Sequence, residues 1–317
     1  MISIDGFDAR FLNDPSLHVK IPNIRGLVRK GSSANVIGIG EPAADFLAGE
    51  RSGLKVATVF MQAGGTFSFP EAGDHQFATV AQKSSPAGVI DKIEAMFPRF
   101  EKPLWDDSSS ASAAAYVLTT APPDVLAVHF ADVQGEQKAT GALTVYVREA
   151  LENDDDLIGQ ILAKAPKDAV VAIVSNHGAE NESYVVRPAV LLKVPIEVSH
   201  GLIGTSDPAV AERIRKLMAD HKRHGIAREV PMAEVRAKAP ALAHWVAAFD
   251  TMQNCVASAE DHGPALGPGD HHATWDLWPS RPGFRSVFVI AGPGIPNQKL
   301  GEIDMASIVS RLTPRKD

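Results

Sequence analysis

The chain has 317 residues, 45% of them hydrophobic and 22% charged, enough to bury a sizeable core and too apolar for a disordered polymer. A net charge of -7 with no Lys/Arg block argues against a dedicated nucleic-acid surface, and the single cysteine, Cys255, excludes an intrachain disulfide and reads as a buried structural thiol. No stretch is apolar for long enough to span a bilayer, so as written the chain reads as soluble and cytoplasmic.

Met1–Ile4 reads as a short strand running into Asp5-Gly6, which puts a carboxylate at a strand end. Because the chain starts almost inside this strand, an upstream segment, with any targeting signal, is expected to have been lost or trimmed. Pro22 suits the first position of a helix whose apolar face is Ile24, Leu27 and Val28, with Gly31 as its C′ residue. A second strand is expected over 34–39, a short helix over 42–51 and a third buried strand over 55–60. From 61 to 121 Gly, Pro and Ser punctuate a weak pattern, with one helix near 88–97 and a Ser/Ala run at 108–115 that reads as linker or helix start.

Val125–Phe130 is again a core strand, and 134–141 is expected to be the loop at its end. Residues 143–162 repeat Val147, Leu151, Ile158, Ile161 and Leu162 at helical spacing, which predicts an amphipathic helix and, with the next strand, a right-handed parallel crossover. That next strand organises the chain. Val170–Val174 is a continuous apolar run that breaks into Ser175-Asn176-His177-Gly178, so polar side chains arrive at a strand's carboxyl end, where ligands collect in open α/β sheets. Region 180–266 changes composition and reads as an inserted cap rather than sheet, with helices over 210–221 and 241–252. Ser286–Ala291 returns to buried strand.

The candidate site residues are therefore Asp5, Asn176 and His177, with His271 and His272 of the later Asp270-His271-His272 run, since carboxylate and imidazole are the usual ligands of zinc and related ions. His75, His129, His221, His224, His244 and His262 read as ordinary structural or surface residues.

Taken in order, ISIDGF at 2–7, IPNI at 21–24, PDVLAVHFADVQGEQKATG at 123–141, LIGQIL, AVVAIVSNHG, FRSVFVIAGPGI and LGEIDMASIVSRL resemble the alkaline phosphatase superfamily, in its type I phosphodiesterase/nucleotide pyrophosphatase branch. The resemblance implies an α/β fold with a mostly parallel central sheet flanked by helices, formed by one domain over 1–317 with 180–266 as its cap. It also implies hydrolysis of phosphate esters by two metal ions, usually zinc, with a Thr or Ser nucleophile. In members of the branch that are exported, a leader precedes the fold.

Transferred position by position, the resemblance keeps Asp5, His177 and His272 or its neighbour His271, but puts Asn176 where a second carboxylate is expected. With Gly141 as anchor, the branch's D-x-x-x-H pair falls on Gln134 and Lys138; a rival register on Asp132 and Glu136 forfeits the glycine. Residues 34–51 hold no Ser or Thr, so the nucleophile segment is missing. Asp5 is then the only anionic ligand, and at most one weakly held divalent metal is expected. Lys138 either replaces a cation, pairing with Asp5 or a bound phosphate, or points into solvent. The sequence thus predicts a degenerate member with weak or no catalysis that binds a phosphate-bearing small molecule or a partner. The alternatives are an active hydrolase with one metal at Asp5, Asn176 and His177, attacking through water or a hydroxyl such as Ser32 or Ser33, and a structural or assembly module.

Overall fold

The structure, a computed structural model, describes residues 1–37, 56–59, 76–77, 89–96, 106–269 and 271–312. The expected helix over 42–51 and the segment expected to lack the nucleophile lie largely outside these residues. The chain divides into two compact units, one of Met1–Gly135, Val145–His177 and Ser286–Asp317, the other of Glu136–Thr144 and Gly178–Arg285.

The first unit is built on an eight-stranded sheet. With strands numbered along the whole chain, these are β1 (Ile2–Ile4), β2 (Ser32–Val36), β3 (Val56–Val59), β4 (Gln76–Phe77), β5 (Val125–Phe130), β6 (Val171–Val174) and, beyond the second unit, β16 (Ser286–Ala291) and β17 (Gln298–Ile303). Their spatial order is β17-β2-β16-β6-β1-β5-β3-β4. All pairs are parallel except those made by β16, which runs against both β2 and β6. The continuous apolar runs are explained by burial: every residue of β1 and β16 is buried, as are Ala172, Ile173 and Val174 of β6.

Helices Pro22–Lys30, Asp107–Thr120 and Val145–Leu162 accompany the sheet. The Ser/Ala run belongs to the second of these, whose N-cap is Asp106, accepting from the Ser109 N–H at 2.8 Å. Helix Pro22–Lys30 has no cap of its own. Asp155, from helix Val145–Leu162, supplies it by accepting from the N–H groups of Asn23 (3.0 Å) and Ile24 (2.7 Å) and from Asn23 Nδ2 (3.0 Å). Gly31 follows the helix but in extended backbone, φ -145°, not the left-handed C′ conformation expected. Its hydrogen is required by close approach: a Cβ there would sit 2.0 Å from the Ile290 carbonyl oxygen.

The second unit corrects the reading of a cap without sheet. Its strands are β7 (Glu180–Asn181), β8 (Tyr184–Val186), β9 (Glu197–Ser199), β10 (Leu202–Thr205), β11 (Ile226–Val230), β12 (Ala247–Thr251), β13 (Cys255–Ala257), β14 (Leu266–Pro268) and β15 (Ala273–Thr274). They form sheets ordered β11-β12-β10-β9, β13-β8-β14 and β15-β7. The helix expected over 241–252 is instead a 3-10 turn, Pro240–Leu242, followed by β12. Two antiparallel neighbours override a sequence with little β propensity of its own. Helix Pro208–Met218 lays Val210, Ala211 and Ile214 into the unit's core with Ile203, Ile226, Phe249 and the buried Cys255. Arg281 is buried between Glu180 (2.5 Å) and Asp250 (3.2 Å) and also donates to the Thr251 carbonyl (2.8 Å). Arg228 adds a contact to Asp250 at 3.2 Å, so two guanidiniums meet two carboxylates and the cluster is neutral.

Candidate active site at the carboxyl edge of the sheet

In the first unit Asp5 follows β1 and Asn176-His177 follow β6, neighbouring parallel strands, so all three reach the same edge. The turns are tied together. Ser175 Oγ accepts from the Phe7 N–H (3.1 Å) and donates to the His177 carbonyl (3.2 Å), while Ser286 Oγ donates to the Ser175 carbonyl (2.7 Å). The Asp5 N–H continues the β1–β5 pairing by donating to the Phe130 carbonyl at 2.9 Å. Gly6, with φ 78°, turns the chain away directly after the carboxylate.

Asp5 is 8% exposed and meets a residue the sequence reading had set aside. His129 Nε2 lies 3.3 Å from Asp5 Oδ2, and His129 is itself buried. The cause is register: Ser3 is level with His129 across the β1–β5 pair, two residues before Asp5. The other carboxylate oxygen, Oδ1, is buried without a hydrogen-bond partner.

Gln134 stands beside His177, its Nε2 3.0 Å from His177 Nε2. It does so from a helix, Asp132–Thr140, where a loop over 134–141 was expected. Gln, Glu, Lys and Ala are good helix formers, and Gly141, at φ 115°, ends the helix in a conformation that favours glycine. Asp132, of the rival register, turns its carboxylate to the Asp107 N–H at 3.3 Å.

The remaining predicted residues belong to the second unit. There the His272 N–H donates to the Lys138 carbonyl at 3.3 Å, and the side chains of Lys138, His271 and His272 are exposed. Ser32 and Ser33 do not serve as edge hydroxyls. Through β16 they are level with Ala172 and Ile173, inside the sheet; both are buried, and Ser32 Oγ donates to the Pro296 carbonyl at 2.7 Å.

The donor set can be tested against a metal. The partnerless Asp5 Oδ1 would suit one cation, but among the described residues no three of His, Cys, Asp and Glu are arranged to hold an ion. Whichever way the Gln134 amide is turned, His177 Nε2 is engaged by it. The described residues do not fit a pair of zinc ions.

The mostly parallel α/β sheet flanked by helices is alkaline phosphatase-like, a likeness that the solved structures below carry. Over residues 37–245 the chain matches the model of the family described as type I phosphodiesterase / nucleotide pyrophosphatase, and it belongs to that family. The family typically uses zinc and acts on phosphate esters. Human ectonucleotide pyrophosphatase / phosphodiesterase 5 is similar with a TM-score of 0.63 at 9% identity, over 98% of this chain and 93% of that one. Phosphonoacetate hydrolase from Sinorhizobium meliloti 1021, in complex with phosphonoformate, gives 0.62 at 14% identity over 98% and 94%. The murine phosphodiesterase 5, an inactive form in complex with AMP, gives 0.60 at 11% over 98% and 93%. A search of curated protein sequences returned no match. Among the described residues no helix is long and apolar enough to cross a membrane.

Proposed function

We propose that this chain is a degenerate type I phosphodiesterase that retains the family's fold and recognises phosphate esters, with little or no hydrolysis. The observation that carries this reading is the Gln134–His177 contact at 3.0 Å: an amide uses the imidazole nitrogen that would ligate a metal. Asp5 supports it, since one of its oxygens faces His129, leaving a single carboxylate to offset any divalent charge. The resemblance puts Lys138 at a ligand position, where an ammonium would supply a positive charge to a bound phosphate.

The orphaned Asp5 Oδ1 favours a second reading, one cation held at Asp5, Asn176 and His177 that activates water. Turnover of p-nitrophenyl phosphate and bis-p-nitrophenyl phosphate with added zinc separates the two. The first reading expects no turnover above background, with phosphate-ester binding weakened in Lys138→Ala. Zinc-dependent turnover abolished by Asp5→Ala would replace it with the second.

A further inference from the structure

A polar pocket within the second unit uses none of the residues of the proposed function. It encloses about 210 Å³ and is lined by Arg228, Arg281, Glu180, Asp250, Gln253 and Ser280, among others. Arg281 is only 7% exposed, whereas the Arg228 side chain is 41% exposed. Sites for drug-sized ligands begin at about 300 Å³. This pocket therefore suits a small ion rather than a nucleotide.

The charge of the ion follows from a count of donors and acceptors. All four carboxylate oxygens are engaged. Asp250 Oδ1 accepts from Arg281 Nη1 (3.2 Å) and Oδ2 from Arg228 Nη2 (3.2 Å), while Glu180 Oε2 accepts from Arg281 Nη2 (2.5 Å) and Oε1 from the Gly283 N–H (3.4 Å). The donors are not exhausted, since each guanidinium carries five N–H groups. Arg281 commits Nη1 and Nη2 to these carboxylates, to Thr251 and to the Met252 carbonyl, but its Nε finds no acceptor among the described residues. Arg228 commits only Nη2, to Asp250 and to Ser280 Oγ, which leaves the N–H groups of Nη1 and Nε. Ser280 Oγ accepts that bond and keeps its own proton to donate, and the exposed Gln253 adds an amide.

We propose that this pocket binds a small tetrahedral oxyanion of the phosphate or sulfate class, with Arg228 as the fork and Arg281 Nε, Ser280 and Gln253 as further donors. A cation finds no uncommitted carboxylate oxygen there. An anion finds surplus N–H and O–H groups from four side chains, more than the two oxygens of a carboxylate would use. Asp250 is held by the buried Arg281 and in turn holds Arg228, so the fork is positioned before the ion arrives and little ordering is needed on binding. With two guanidiniums against two carboxylates the pocket is neutral when empty, so the attraction comes from directed hydrogen bonds rather than from net charge.

The test is titration of inorganic phosphate, at constant ionic strength, into the isotope-labelled full chain, read by nuclear magnetic resonance for the natural protein, Arg228→Gln and Lys138→Ala. The backbone amides of Gln253 and Ser280 are expected to shift saturably in the natural protein and equally in Lys138→Ala. Arg228→Gln is expected to raise the dissociation constant by about tenfold or more, the loss of a hydrogen bond to a charged group. Sulfate is expected to displace phosphate, and acetate at the same concentration is not. Absence of saturable shifts at Gln253 and Ser280, an unchanged constant in Arg228→Gln, or equal displacement by acetate would overturn the proposal. Shifts that vanish in Lys138→Ala would overturn it as well, by assigning the ion to the site of the proposed function. Should Arg228→Gln not fold, Ser280→Ala decides: binding about fivefold or more weaker is expected, and an unchanged constant overturns the proposal equally.

Discussion

The IPNI stretch at 21–24 carries part of the family resemblance, yet its role here is docking rather than chemistry, and Asp155→Ala tests this. The substitution removes the carboxylate that accepts from the first-turn N–H groups of Asn23 and Ile24, while Asn23 Nδ2 keeps its bond to the Asp155 carbonyl at 3.0 Å. Loss of a cap costs about 1 kcal/mol. Stranding the N–H of Ile24, a fully buried residue, adds about 1–3 kcal/mol. Releasing a carboxylate from its own burial penalty offsets part of that, which leaves a net loss of about 2–3 kcal/mol. Gly159 shows how tightly the contact is built, since a Cβ there would meet Asn23 Nδ2 at 2.8 Å. Urea unfolding followed by far-ultraviolet circular dichroism reads the loss, and amide exchange localises it. A local opening of that size speeds exchange at Ile24 by about 30- to 150-fold. An unchanged midpoint together with unchanged exchange at Asn23 and Ile24 would refute the claim that this carboxylate holds the helix.

Gly31→Ala forces a Cβ to within 2.0 Å of the Ile290 carbonyl oxygen, so β16 and the helix end must separate. A loss of at least about 2 kcal/mol is expected, read as a lowered unfolding midpoint. Gln134→Asp removes the amide from His177 and adds a carboxylate; calorimetric zinc titration is expected to show at least a tenfold gain in affinity, lost again on adding His177→Ala. Substituting Ser32 by Ala breaks only its bond to the Pro296 carbonyl, so phosphate-ester binding is expected to be unchanged while stability falls by about 1 kcal/mol.

The sheet was legible where strands are buried on both faces: β1, β5, β6 and β16 are mostly apolar runs, broken only by a few buried polar side chains such as Ser3, His129 and Ser286. Asp5, Asn176 and His177 were legible for the same reason, as the polar residues on which those runs stop. β12 was not legible, because Ala247-Ala248-Phe249 reads equally well as helix and only its two sheet partners decide. His129 was hidden inside an apolar run; the available signal was a titratable side chain on a core strand one residue from its end. Asp154 and Asp155 look like a solvated acidic tract in sequence. Their spacing from Leu151 and Ile158 puts them on the apolar stripe of their helix, and that conflict between charge and position is the mark of buried, working carboxylates. Lys138 came from the resemblance alone, and His271 and His272 from residue type alone, since no strand delivers them.

The central claim is electrostatic: with one carboxylate ligand left, the strand-edge site does not retain two divalent ions. Elemental analysis of the protein purified in excess zinc and then dialysed tests it directly. Fewer than about one zinc per chain is the predicted result; two zinc ions per chain, lost together in Asp5→Ala, would contradict it.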